Sequence, residues 1–177
     1  MIERIRYDAA SRAIHWLTFL AVTAAFAIIW RTDWLPGFSP QRVKMMNWHK
    51  WAGVTVLLLT VVRIGWRLYK PAPPPVAMPA WQRISSKALH GLLYLALLAQ
   101  PLVGWMLSNA SGYPIVWFRV LPLPNLVSKD KALAQTLAGA HELIGTAILV
   151  LLAVHVLAAL KHHFVDKDDT LRRMLPH

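Results

Sequence analysis

Four long apolar stretches, separated by polar, basic or proline-rich segments, constrain this chain of 177 residues more than any other feature. They run over residues 13–30, 48–68, 88–107 and 136–160. Each is long enough to cross a hydrocarbon layer of about 30 Å as a helix. Backbone N–H and C=O groups in lipid must be satisfied within their own segment, so the expected fold is all-α, a four-helix transmembrane bundle. The hydrophobic share of 56% against 15% charged residues fits a single membrane domain over 1–177. Residues 31–47, with Pro36, Gly37 and Pro40, are expected to form a loop. The linker KPAPPPVAMPA is expected to be extended and stiff. Pro101 is expected to kink the third helix, and residues 108–135 read as an external loop with room for a short surface helix. The fourth helix is expected to run on past the lipid into a polar tail.

Charge sets the orientation. Arg31, Arg42, Lys44, Lys50, Arg119, Lys129 and Lys131 fall on one side of the membrane. The other basic residues, from Arg4 to Arg173, fall on the opposite side and are more numerous. The positive-inside rule then puts both termini in the cytoplasm. A formal charge of +11 raises the question of nucleic acid, but these bases lie between hydrophobic spans. They are read as topology signals and contacts to anionic lipid, with no nucleic-acid partner. No cleavable signal is evident. The absence of cysteine excludes disulfides, thiolate iron–sulfur ligation and covalent c-type haem. Trp16, Trp30, Trp34, Trp48, Trp66 and Trp105 lie near span ends and suit an interfacial aromatic belt.

Histidine is costly inside a membrane and marks a functional candidate. His141 and His155 are fourteen positions apart in the fourth span. At 100° per residue both project from one face, separated axially by about 21 Å. His49 opens the second span at the depth of His141, and His15 opens the first at the depth of His155. Two depth-matched pairs result, which is the arrangement two vertically stacked haems require from facing helices. His90 also lies at the level of His155, so depth alone leaves His15 and His90 as alternatives there. Neither pair supplies the three or four ligands of a zinc site. Gly53, Gly145 and Ala159 each follow a candidate ligand by four residues, leaving room for a porphyrin or for helix packing. Phe19 occupies that offset after His15. Arg63, fourteen residues after His49, is placed either to pair with haem propionates or to snorkel toward the interface, as is Arg67. His162 lies two turns beyond His155 on the same face. With His90 it is a candidate for binding a quinone and moving its protons. His163 and His177 read as surface histidines of the tail.

The segments SRAIHW, NWHKWAG, LHGLLYLALLAQPLVGWM and AHELIG…VHVLAALKHHFVDKDDTLRRMLP resemble the bacterial cytochrome b561 family over nearly the whole chain. Within that family the likeness is greatest to the stand-alone superoxide oxidases. The resemblance implies two b haems in a multi-pass protein of the bacterial inner membrane. Their iron ligands would be His15 with His155 on the inner side and His49 with His141 on the outer. It implies oxidation of superoxide to O₂ at the outer face and electron relay to ubiquinone, with His90 and His162 free for the quinone. The basic outer residues, Arg31, Lys44 and Lys50 among them, suit steering of an anionic substrate, or docking of an acidic redox partner protein. The alternative function is a haem subunit linking a partner dehydrogenase or hydrogenase to the quinone pool. The short termini favour a stand-alone enzyme. A third reading, a histidine-lined metal or proton transporter, requires a haem-free protein.

Overall fold

The computed structural model describes residues 6–37 and 39–175; Arg4 and His177 lie outside the described residues. Four helices form: α1 (Ala9–Asp33), α2 (Pro40–Tyr69), α3 (Ala80–Ala110) and α4 (Lys131–Phe164). All four are long and apolar enough to cross a membrane. Each outruns its apolar stretch, and three of the four begin at a polar cap. Asp8 caps α1 by accepting from the Ser11 N–H, and Ser39 caps α2 by accepting from the Arg42 N–H. Asp130 caps α4 through the Leu133 N–H.

Three expectations about the connections need correction. Pro40 does not break a helix; it starts one, since its missing N–H costs nothing at the first helical position. Much of the segment expected to be a loop, from Pro40 to Asn47, is therefore helix α2. Residues 108–135, read as an external loop with room for a short surface helix, carry instead a two-stranded antiparallel hairpin, β1 (Val116–Trp117) with β2 (Leu121–Pro122). Helix α3 continues through Pro101 to Ala110, so residues 108–110 of the segment expected to be a loop are helix.

The helices associate in chain order, α1 with α2, α2 with α3 and α3 with α4. Packed helices normally lie 8–10 Å apart. Among the described residues no Cα of α4 comes within 8 Å of a Cα of α1 or α2. A slot therefore runs along α4, open toward the first two helices. The outward stripe of α4, Leu143, Val150 and Leu157, is 72%, 60% and 65% exposed, an apolar surface suited to lipid. The opposite stripe carries His141, Ile148 and His155, and Ile148 is only 2% exposed. Val22 and Val56, seven residues after His15 and His49, are buried in the same way. An apolar layer thus separates two histidine levels. Buried threonines in the spans return their hydroxyls to the preceding turn, as Thr18 does to the Ile14 carbonyl and Thr60 to the Val56 carbonyl, both at 2.7 Å.

Each end of the bundle is closed by long-range hydrogen bonds. At the end holding both termini, Trp16 donates to the Met174 carbonyl and Trp66 to Asp8, while Arg173 donates to the Pro74 carbonyl of the linker. At the distal end Trp51 donates to the Val116 carbonyl and Trp105 to the Pro124 carbonyl. Buried Asn109 binds both Asn125 and the Leu126 N–H there. Arg42 ties the α1–α2 connection by donating to the Thr32 and Leu35 carbonyls, which removes it from the free basic surface. Trp16, Trp66 and Trp105 are thus staples between separate segments of the chain.

Candidate functional site

The slot beside α4 is bridged at two levels by imidazoles. At the distal level the rings of His49 and His141 lie 6.2 Å apart, centre to centre. At the terminal level those of His15 and His155 lie 6.3 Å apart. An iron bonded to one nitrogen of each ring at about 2 Å, with that nitrogen about 1.1 Å from its ring centre, separates two centres by about 6.2 Å. The rings of His90 and His155 are 5.3 Å apart, about 1 Å short of that requirement. Of the two partners that depth alone allows for His155, His15 is the one at iron-spanning distance.

Hydrogen bonding agrees with this fit. His49 Nδ1 lies 2.9 Å from the Ala25 carbonyl. A carbonyl only accepts, so Nδ1 carries the proton and the Nε2 lone pair is available to a metal. Nδ1 of His15 and of His141 is buried without a hydrogen-bond partner. A Cβ placed on Gly53 meets nothing within 4 Å, so the space one turn beyond His49 is open as a porphyrin edge requires. Gly145 takes the other role the sequence left open: its Cβ would come 3.2 Å from Gln100 Nε2, so it serves the α3–α4 contact. Gly104 was not singled out by sequence reasoning, yet a Cβ there would come 2.8 Å from His141 Cε1. It lets the imidazole approach α3 closely. The available signal was a glycine inside an apolar helix, which costs about 1 kcal/mol relative to alanine and so calls for a reason.

The remaining candidates separate. His90 is exposed on the wall of a cavity of about 460 Å³ that Arg63, Arg67, Lys87 and Tyr94 also line. Its Nδ1 donates to the Ser86 carbonyl at 2.6 Å. Arg63 is half-buried over the Tyr94 ring, and Arg67 lies over Tyr7. His162 does not line this cavity; it pairs with Asp168 in the tail, a partner that sequence spacing did not suggest. Asp168 is partly buried, which raises its pKa. Hydrogen bonds from Thr170 and His162 outweigh that and hold the carboxyl below its ordinary range. At the distal end Lys50 lies over the Tyr113 ring and Lys44 over Trp48, while Arg31 is exposed.

The model of the family described as prokaryotic cytochrome b561 matches residues 6–177. The chain belongs to that family. It is therefore a multi-pass bacterial membrane protein that carries haem b and transfers electrons. Cytochrome b561 homolog 2 of Escherichia coli K12 is 35% identical over 174 residues, covering 96% of this chain and 91% of the relative. Homolog 1 of the same organism is 35% identical over 97% of each chain. A protein of Yersinia pestis named probable superoxide oxidase CybB is 32% identical over 97% of this chain and 96% of its own length. Haem b suits the residues of this cytochrome: two imidazole pairs at iron-spanning distance, buried unpaired Nδ1 atoms and an open slot at backbone level.

Proposed function

We propose that this cytochrome b561 is a superoxide:quinone oxidoreductase with two haems, the distal one held by His49 and His141 and the terminal one by His15 and His155. The observation that carries the reading is the pair of imidazole bridges at opposite ends of one helix, fourteen residues apart on α4. Two haems so placed supply one-electron transfer between the membrane faces. By the charge argument the distal end faces outward and the termini lie in the cytoplasm of a bacterium's inner membrane. Two superoxide ions become two O₂ at the distal end, and their two electrons with two protons from water convert ubiquinone to ubiquinol at the terminal end. Arg31, Lys44 and Lys50 raise the local concentration of the anion at the distal end. Arg63 and Arg67 offer their guanidinium groups to the propionates of the terminal haem. His90 and His162 each have Nδ1 committed as a donor, which leaves Nε2 to meet a quinone oxygen. The name of the Yersinia pestis relative supports the donor.

The test is superoxide-driven reduction of ubiquinone by the purified holoprotein, with superoxide generated enzymatically and quinol measured directly. The reading expects stoichiometric quinol, two superoxide per quinone, without any added protein. A preparation that contains both haems but is inert toward superoxide favours the alternative, a subunit fed by a partner dehydrogenase or hydrogenase docked on the basic distal surface.

A further inference from the structure

Helix α4 does not simply end after the terminal haem level; the chain folds back beneath it. Lys161 and His162 form the last turn, and their carbonyls accept from the Asp166 and Asp168 N–H groups at 3.1 and 3.0 Å. Lys167 adopts φ 54° to make the reversal, a conformation a side chain takes only under compulsion. The result brings two carboxylates to one imidazole. Asp168 Oδ2 lies 2.6 Å from His162 Nδ1, and Asp166 Oδ2 lies 3.2 Å from it. These two contacts are not equivalent. Asp166 is already held by Lys161 at 2.7 Å, which neutralises it. Asp168 has the shorter bond, and its other oxygen accepts from the Thr170 N–H at 2.8 Å. The His162 and Asp168 side chains are 13% and 16% exposed, so water competes little for the contact.

We propose that Asp168 is a positioning residue for quinone protonation: its carboxylate fixes His162 with the proton on Nδ1, so that Nε2 delivers protons to the quinone oxygen. This rests on the assignment of His162 to the quinone site. The chemistry follows from what each atom can do. An ionised carboxylate only accepts, so a neutral His162 carries its proton on Nδ1 and presents the Nε2 lone pair. A proton taken up from water at Nε2 gives an imidazolium whose charge Asp168 stabilises. As the quinone receives two electrons, one at a time from the haem side, the Nε2–H bond breaks and an O–H bond forms on the quinone oxygen. His162 returns to its neutral form and takes the second proton from water in the same way. Asp168 keeps its negative charge throughout, and its depressed pKa is consistent with that role. Carboxylates that orient metal-bound imidazoles contribute about ten- to a hundred-fold, and an effect of that order is expected for His162.

The test uses the purified holoprotein in four forms: wild type, His162→Ala, Asp168→Asn and the double variant. Haem reduction by superoxide and haem reoxidation by a short-chain ubiquinone are followed separately in a stopped-flow instrument. We expect Asp168→Asn to slow reoxidation at saturating quinone about tenfold or more, with haem content and the superoxide step unchanged. Asp168→Glu recovers part of the rate, and the double variant is no slower than His162→Ala, because both changes remove one device. If His162→Ala alone reoxidises at the wild-type rate, the quinone assignment fails and the inference with it. If His162→Ala is slow but Asp168→Asn is not, or if the two effects multiply, the positioning role alone is overturned. Should Asp168→Asn not fold, ¹⁵N spectra of wild-type imidazoles in the reduced protein decide the matter. A proton on Nδ1 of neutral His162 supports the proposal, and a proton on Nε2 overturns it.

Discussion

Gly104→Ala is a single methyl group aimed at one haem. The added Cβ would stand 2.8 Å from Cε1 of His141 and 3.2 Å from its Nδ1. Ordinary contact begins near 3.4 Å, so either the ring retreats by about 0.6 Å or α3 withdraws from α4 by a similar amount. A free side chain would swing aside, but an imidazole that held the distal haem would be tethered and could not. Overpacking of this kind costs about 1–3 kcal/mol, or about 5- to 150-fold in affinity for the distal haem. Haem content by pyridine haemochrome, after washing on a column, should fall from two toward one per chain, while the terminal haem keeps its spectrum. Gly139→Ala is the control, since its Cβ would meet nothing within 4 Å, and it should keep both haems. A Gly104→Ala protein with wild-type haem content and an unchanged spectrum would refute the close seating of His141 on α3.

Two further outcomes follow. Reversing charge with Arg31→Glu and Lys44→Glu should lower kcat/KM for superoxide about tenfold at low salt and flatten its salt dependence, leaving the quinone step unchanged. Asp8→Ala removes the cap of α1 and the tie to Trp66, and should lower stability by about 1 kcal/mol in a thermal melt. Partial burial of Asp8 raises its pKa, and bonds from Ser11 and Trp66 more than offset that. A depressed carboxyl contributes stability above its ordinary pKa and loses it as pH falls through the lowered value. The wild-type and Asp8→Ala melts should therefore converge at strongly acidic pH.

Apolar length and histidine depth were readable from the chain because both follow from the bilayer. A helix that must cross about 30 Å fixes where its first and last turns lie. That is why His49 with His141, and His15 with His155, emerged as pairs before any coordinates. Depth does not distinguish neighbours at one level; the family resemblance preferred His15 over His90, and ring distances to His155 of 6.3 and 5.3 Å support the same choice. Pro40 misled because proline breaks a helix interior but favours a helix start, and the capping Ser39 before it was the overlooked signal. The hairpin at residues 116–122 has strands of two residues, too short for any alternating pattern. Asp168 escaped notice because a backbone reversal at Lys167, not helical spacing, brings it to His162. Gly104 contacts a residue 37 positions away, and no local rule reports such a contact.

The central claim is that four histidines on three helices hold two haems at opposite ends of α4. The most direct measurement is the haem-to-protein ratio of purified wild type, His141→Ala and His155→Ala, with reduced-minus-oxidised spectra. Two b haems are expected in wild type and one in each variant, with different residual spectra because a different haem remains. A single haem in wild type, or two haems in His141→Ala, would contradict it.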